Sequence, residues 1–244
     1  MLMSYIFREH IKQSLAVIAF LITLTACTSE SYDAGDGPNS YLTADLVLLH
    51  TSQDKSVRSA LLDDGTTLQF SNPFAQDWLT RPDSVYRALL YYDKTVAASD
   101  AAASNPTATS IVRARSVSPV SVLRPVEAED METLRTDPVG FESIWLSKNK
   151  SYINLSLLLK SGKTEADDAL HALGIVSHGT TTDADRRRTL HLTLYHDQGG
   201  VPAYYTVQQY VSIPTQLLEK ADTVELTLNT YNGKKVVKVA VSNL

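Results

Sequence analysis

The feature that most constrains this chain is a two-residue rhythm of apolar and polar side chains. It returns along most of the sequence beyond residue 40. Successive side chains of a strand point to opposite faces, so such a rhythm builds one apolar and one polar face on a strand and fits no helix. The second half shows it most cleanly. Ile153, Leu155, Leu157 and Leu159 alternate with Tyr152, Asn154 and Ser156. Leu190, Leu192 and Leu194 alternate with Thr189, His191, Thr193 and Tyr195, and Val224, Leu226 and Leu228 alternate with Thr223, Glu225 and Thr227. Asn232-Gly233 then predicts a two-residue hairpin turn with positive φ at both residues, leading into 236–241. Gly199-Gly200 reads as a second hairpin tip, between Tyr195 and Tyr204.

The first half carries the rhythm less regularly. Leu42, Ala44, Leu46 and Leu48 share one face, and a short strand follows over 57–62. Asp64-Gly65 supplies a turn into 67–70, and strands over 84–92 and 111–123 complete a set of five. Residues 97–110, rich in Ala and Ser, read as an exposed loop. The acidic stretch between Pro125 and Pro138, with room for one helical turn, reads as the domain boundary. One polar face per strand points to antiparallel sheets rather than a parallel α/β core. The expected fold class is therefore all-β. A small five-stranded barrel over 41–125 is followed by an antiparallel β-sandwich over 138–244.

Ahead of the strands lies a different kind of sequence. Arg8 and Lys12 precede ten uncharged residues, Leu15 to Leu24. Ten is too few to cross a bilayer as a helix, which takes about 20, and suits the apolar region of a signal peptide. Leu24-Thr25-Ala26-Cys27 follows, in the form of a bacterial lipobox. The reading is a signal peptide over 1–26, cleavage before Cys27, and lipidation of its thiol. Residues 27–40 then form the lipidated cysteine and a flexible polar tether. Cys27 is the only cysteine, so no disulfide forms within the chain and the fold relies on burial and hydrogen bonds.

Cleavage would remove two basic residues and one acidic one, moving the net charge from −5 to −6. That charge argues against nucleic acid, whose phosphates require clustered Lys and Arg. The only basic run, Arg186-Arg187-Arg188, follows Asp183 and Asp185 and reads as a solvated turn. His171, His178, His191 and His196 fall close together, yet His191 and His196 are five apart and face opposite sides of a strand. No His-x-His pair or second cysteine completes a zinc site, so no metal or other cofactor is expected. No serine sits in Gly-x-Ser-x-Gly. Asp63-Asp64, beside Gly65, reads as a turn former rather than a glycosidase pair, so no catalytic residue is assigned. Tyr204 and Tyr205 are the candidate ligand-binding residues, because adjacent positions of a strand place one of them outward.

Several local motifs carry a resemblance. Leu62-Asp63-Asp64-Gly65-Thr66-Thr67-Leu68 is followed by Ser71-Asn72-Pro73, then Asp137-Pro138-Val139, Trp145 and Tyr152-Ile153-Asn154-Leu155. In this order behind a lipobox, the chain resembles the NigD-like lipoproteins of Bacteroidales. The resemblance implies an N-terminal OB-like barrel, a C-terminal β-sandwich and no known catalytic residues. It also implies a lipid-anchored protein of the cell envelope, at the outer membrane, that binds a protein partner and acts in bacteriocin immunity. The alternative is a surface lipoprotein that binds a glycan or small ligand; a hydrolase is the third reading. Glu30, Asp33 and Asp36 are scattered rather than clustered after Cys27, which leaves the periplasmic and surface faces both open.

Overall fold

The computed structural model describes residues 42–94, 110–163, 170–218 and 220–241. The expected signal peptide, Cys27, the tether and all of the expected 97–110 loop but Ser110, which opens a strand, lie outside the described residues. What is described is all β.

Five strands close the N-terminal barrel: β1 (Leu42–Thr51), β2 (Val57–Leu62), β3 (Thr67–Phe74), β4 (Val85–Lys94) and β5 (Ser110–Pro119). Their order is β1-β2-β3-β5-β4, with β4 pairing back to β1. Every pair is antiparallel except β3 with β5. This is the expected OB-like barrel, a five-stranded closed Greek key. Its interior holds Val47, Leu49, Ala60, Leu90 and Val112, all at most 1% exposed. Each fully buried Val or Leu of this kind contributes about 1.5–3 kcal/mol.

Strand β1 shows what alternation leaves open. Leu42, Ala44, Leu46 and Leu48 do share a face, but the barrel core takes the other one, with Val47 and Leu49. The strand is apolar on both sides over Leu46 to Leu49 because both sides are covered.

Nine strands build the C-terminal domain: β6 (Ser121–Val122), β7 (Pro125–Glu127), β8 (Gly140–Leu146), β9 (Tyr152–Ser161), β10 (Ala172–Thr182), β11 (Arg188–Asp197), β12 (Tyr205–Pro214), β13 (Thr223–Thr230) and β14 (Gly233–Ala240). They form a five-stranded sheet, β14-β13-β11-β10-β7, and a four-stranded sheet, β6-β12-β9-β8. The core between the sheets contains Ile153, Leu155, Leu157, Leu190, Leu192, Leu194, Val224, Leu226 and Leu228, so the inward faces match the sequence pattern strand by strand.

The sheets are mixed rather than purely antiparallel. β11 pairs with β13, β10 with β7 and β12 with β6 in parallel. The β11–β13 pair is parallel because β12, between them in sequence, crosses to the other sheet. Gly199-Gly200 therefore sits in a connection between sheets and not at a hairpin tip; both residues have positive φ. Ser121–Val122, ahead of the expected break, and Pro125–Glu127, at its start, already pair with sandwich strands. The expected helical turn of that segment is a 3-10 turn at Ala128–Asp130.

The two Asx-Gly turns both form, but one residue earlier than the sequence placed them and with a different conformation. Thr230 pairs with Gly233, so the two turn residues are Tyr231 and Asn232. Only Gly233 has positive φ, at 103°. At the β2–β3 turn, Gly65 N donates to Leu62 O, and again only the glycine has positive φ, at 91°. Both turns leave the left-handed position to the glycine that follows two ordinary residues, a common alternative to two positive φ values in succession.

Candidate functional site

Strand β4 points Ala88, Leu90 and Tyr92 into the barrel. Arg87, Leu89 and Tyr91 therefore face outward, beside Leu48, Leu46 and Ala44 of the paired strand β1. This outer face lies against the four-stranded sheet of the sandwich.

Arg87 is the centre of the contact, with a side chain 1% exposed. Its Nη1 donates to Asp63 Oδ1 at 2.6 Å, and its Nη2 to Asp63 Oδ2 at 2.7 Å. Nη2 also donates to Asn154 Oδ1 at 3.1 Å, and Nε to Ser212 Oγ at 3.1 Å. Asn154 Nδ2 donates to Asp63 Oδ2 at 3.1 Å, and Ser212 Oγ to Asn154 Oδ1 at 2.7 Å. The guanidinium lies over the Tyr152 ring, 4.3 Å from its centroid. A planar fork of donors meeting a carboxylate two-to-two is the strongest ordinary ion-pair geometry. Here it ties β4 and the β2–β3 turn of the barrel to β9 and β12 of the sandwich. Backbone bonds flank it: Asn149 N donates to Asp63 O at 2.6 Å, and Val120 N to Arg87 O at 3.0 Å.

Beside this clamp opens a cleft of about 350 Å³. Leu46, Leu62 and Leu89 give it an apolar floor; Tyr91, Trp145 and Tyr210 give it aromatic walls; Asp45, Asp64 and Lys148 bring charge to it. Trp145 and Tyr210 meet edge to face, 6.4 Å between centroids and 81° between planes. Asp45 Oδ2 accepts from the Tyr92 hydroxyl at 2.8 Å. Burial, then that bond to Asp45, raises the Tyr92 hydroxyl far above its ordinary value, so it stays protonated and donates. Burial works against the charge on Asp64. Hydrogen bonds from Thr66 and the nearby Lys148 outweigh it and hold the carboxyl below its ordinary value.

The sequence-predicted residues lie elsewhere. Cys27 is outside the described residues. Tyr204 and Tyr205, 78% and 50% exposed, lie at the far end of β9, where Tyr204 N donates to Ser161 O and Tyr205 pairs with Ser161. Both reach solvent, where alternation predicted one. The histidines divide by strand face. His191 sits on the polar face of β11, hydrogen bonded to Thr181 and Glu225. His178 bonds Thr193. His196 is buried, with Nδ1 donating to Asp137 O at 3.0 Å and Nε2 facing His171 Nδ1 at 3.0 Å. Burial, then the His196 ring, push the His171 imidazole below its ordinary value. Asp183 and Asp185 do not join them; Asp183 Oδ1 caps the turn at Arg186-Arg187 by accepting from Asp185 N and Arg187 N.

Sequence reasoning missed Arg87 and misjudged Asp63. Asp64 is a turn former, with Oδ1 accepting from Thr66 N at 2.9 Å, but Asp63 is the partner of Arg87. One signal was present. Asp63, Trp145, Tyr152 and Asn154, all within the motifs that carried the resemblance, converge on this contact and its cleft.

Residues 122–241 match the family model of the NigD-like C-terminal beta sandwich domain. No curated protein matches the chain by sequence. A NigD-like immunity protein from Bacteroides caccae is similar in structure, with a TM-score of 0.59 at 22% identity, over 81% of this chain and 91% of that one. A candidate lipoprotein from Bacteroides fragilis gives 0.57 at 14% identity, over 82% and 98%. A candidate toxin-related protein from Parabacteroides distasonis gives 0.53 at 20% identity, over 81% and 92%. At these identities the likeness is one of fold, and it extends well beyond either domain alone. Over residues 122–241, the chain carries the C-terminal beta sandwich domain of the NigD-like family.

Proposed function

We propose that this protein is a lipoprotein of the cell envelope, anchored through Cys27 at the outer membrane. Its two-domain β body binds a protein partner and performs no catalysis. Interception of a bacteriocin, as an immunity factor, is the narrower form of the same reading. The observation that carries the anchor is Leu24-Thr25-Ala26-Cys27 at the end of a ten-residue apolar run, with a polar segment leading from it to β1. The binding role is supported by the fold shared with the Bacteroides caccae protein named as NigD-like and immunity-related. The test is incorporation of labelled fatty acid in a bacterial host. The native chain should take up label and sediment with membranes, and Cys27→Ser should lose both. One acyl chain holds a protein only marginally and several hold it firmly. A cleaved Ser variant that still sediments with membranes overturns the anchor.

A specific observation favours a second reading, in which the chain binds a glycan or small ligand. Tyr204 and Tyr205 both present aromatic surface to solvent at one end of the sandwich. Loss of ligand binding on Tyr204→Ala would favour it.

A further inference from the structure

We propose that the cleft between barrel and sandwich binds a neutral saccharide of one or two sugar units. The inference shares a ligand class with the second reading but none of its residues. It is independent of the lipid anchor.

The cleft has the size and the place of a ligand site. About 350 Å³ is the small end of the range for ligand sites, which run from about 300 to 1,000 Å³ and favour domain interfaces. The walls come next. Trp145 and Tyr210 stand almost perpendicular to each other, and Tyr91 faces them from the barrel. Sugar rings carry apolar C–H faces that pack on aromatic rings, and hydroxyl edges that require donors and acceptors. The cleft supplies both. Among the described residues, nothing hydrogen-bonds the Tyr91 and Tyr210 hydroxyls or the Trp145 indole N–H. These groups reach solvent in the cleft, where the hydroxyls of a ligand can meet them.

The charges decide against an anion, and two of the three carboxylates already have a cationic partner beside them. Asp63 is matched by Arg87 in a two-to-two ion pair. Asp64 has Lys148 beside it, and Asp45 is engaged by the Tyr92 hydroxyl. A cation would compete with Lys148 for Asp64, and an anion would meet the three carboxylates. A neutral polyhydroxylated ligand leaves these pairs in place and takes up the lone pairs and donors that remain.

The experiment uses the full chain in a detergent without a sugar headgroup. The chain has two tryptophans, Trp78 and Trp145. A Trp78→Phe background keeps a ring against Tyr86 and leaves Trp145 as the reporter. The probes are a panel of methyl hexosides, N-acetylhexosamines and their disaccharides, with arginine amide as the cationic control. At least one saccharide should shift the Trp145 emission saturably. Tyr210→Phe, which removes only the hydroxyl, should weaken that binding about fivefold, the size of one hydrogen bond. Tyr204→Ala should leave it unchanged. No saturable shift up to tens of millimolar overturns the proposal. A shift produced by arginine amide and by no sugar also overturns it. So does a saccharide response that Tyr204→Ala abolishes and Tyr210→Phe spares, because it places the sugar on the exposed tyrosines instead.

Discussion

The two sheets of the sandwich each have a polar face, and the two faces have opposite fates. On the five-stranded sheet, His191, Thr193, Glu225 and Lys238 face outward and remain partly or largely exposed. On the four-stranded sheet, Asn154 and Ser212 hold the equivalent positions and are 0% exposed, because the barrel packs over them and Arg87 bonds both. The same alternation in sequence produced both. Period two assigns residues to faces; it does not say whether water or another domain covers the polar one. The covered face is stabilised only if every polar atom finds a partner, which Arg87 and Asp63 arrange. The solvated face needs no such closure.

The largest expected effect is on the apolar side that both sheets share. Leu226→Asp places a charge with no partner between them and should cost about 5 kcal/mol or more. Loss of cooperative thermal unfolding is the expected readout. A cooperative melt near the native midpoint would mean that Leu226 does not face the core.

Arg87→Ala should come next, at about 3–5 kcal/mol, because it strands Asp63, Asn154 and Ser212 in a buried contact. Denaturant unfolding measures it. Arg87→Met combined with Asp63→Leu should recover part of the loss, since apolar replacement of both partners is often close to neutral. If the double variant is worse than the single one by several kcal/mol, the clamp is not a closed polar unit.

Gly233→Val should cost about 1–3 kcal/mol, because Val is forced to φ near 103°. The β13–β14 turn is remote from the clamp, so combining Gly233→Val with Arg87→Ala should give the sum of the two losses. A departure of more than about 0.5 kcal/mol would show that sandwich and clamp are coupled.

Glu225→Gln should be the smallest, under about 0.5 kcal/mol. Lys238 first, then His191, holds the Glu225 carboxyl below its ordinary value. Its small contribution is therefore present at neutral pH and fades as pH falls through that lowered value. A Glu225→Gln loss as large as that of Arg87→Ala, by the same melts, would erase the distinction between the two faces.

The sequence made the sandwich strands legible because nothing interrupts them. Leu190, Leu192 and Leu194, or Val224, Leu226 and Leu228, alternate without a break, and each is buried as the pattern requires. The barrel was harder. Over Leu46 to Leu49 both faces of β1 are apolar, so alternation could not tell the core side from the domain contact. The contact itself was hidden for a different reason. Arg87, Asp63, Asn154 and Ser212 are ordinary surface residues by type, and their burial follows from a pairing 24 to 125 residues apart in sequence. The turns were placed to within one residue by their Asx-Gly pairs, yet their exact position and φ pattern depend on strand register, which the pair alone does not encode.

The short strands β6 and β7 carry a mechanical consequence. On leaving the barrel at Val120, the chain gives two residues to the edge of one sheet and then three to the edge of the other. The covalent connection between the domains is thus a rivet through both layers of the sandwich rather than a free hinge. A pull on the barrel along the chain loads β6 against β12, in a parallel pairing, before it reaches β7 and β10. Strain arriving from one end of the molecule is shared between two sheets, and neither domain can swing away until those five residues have unzipped.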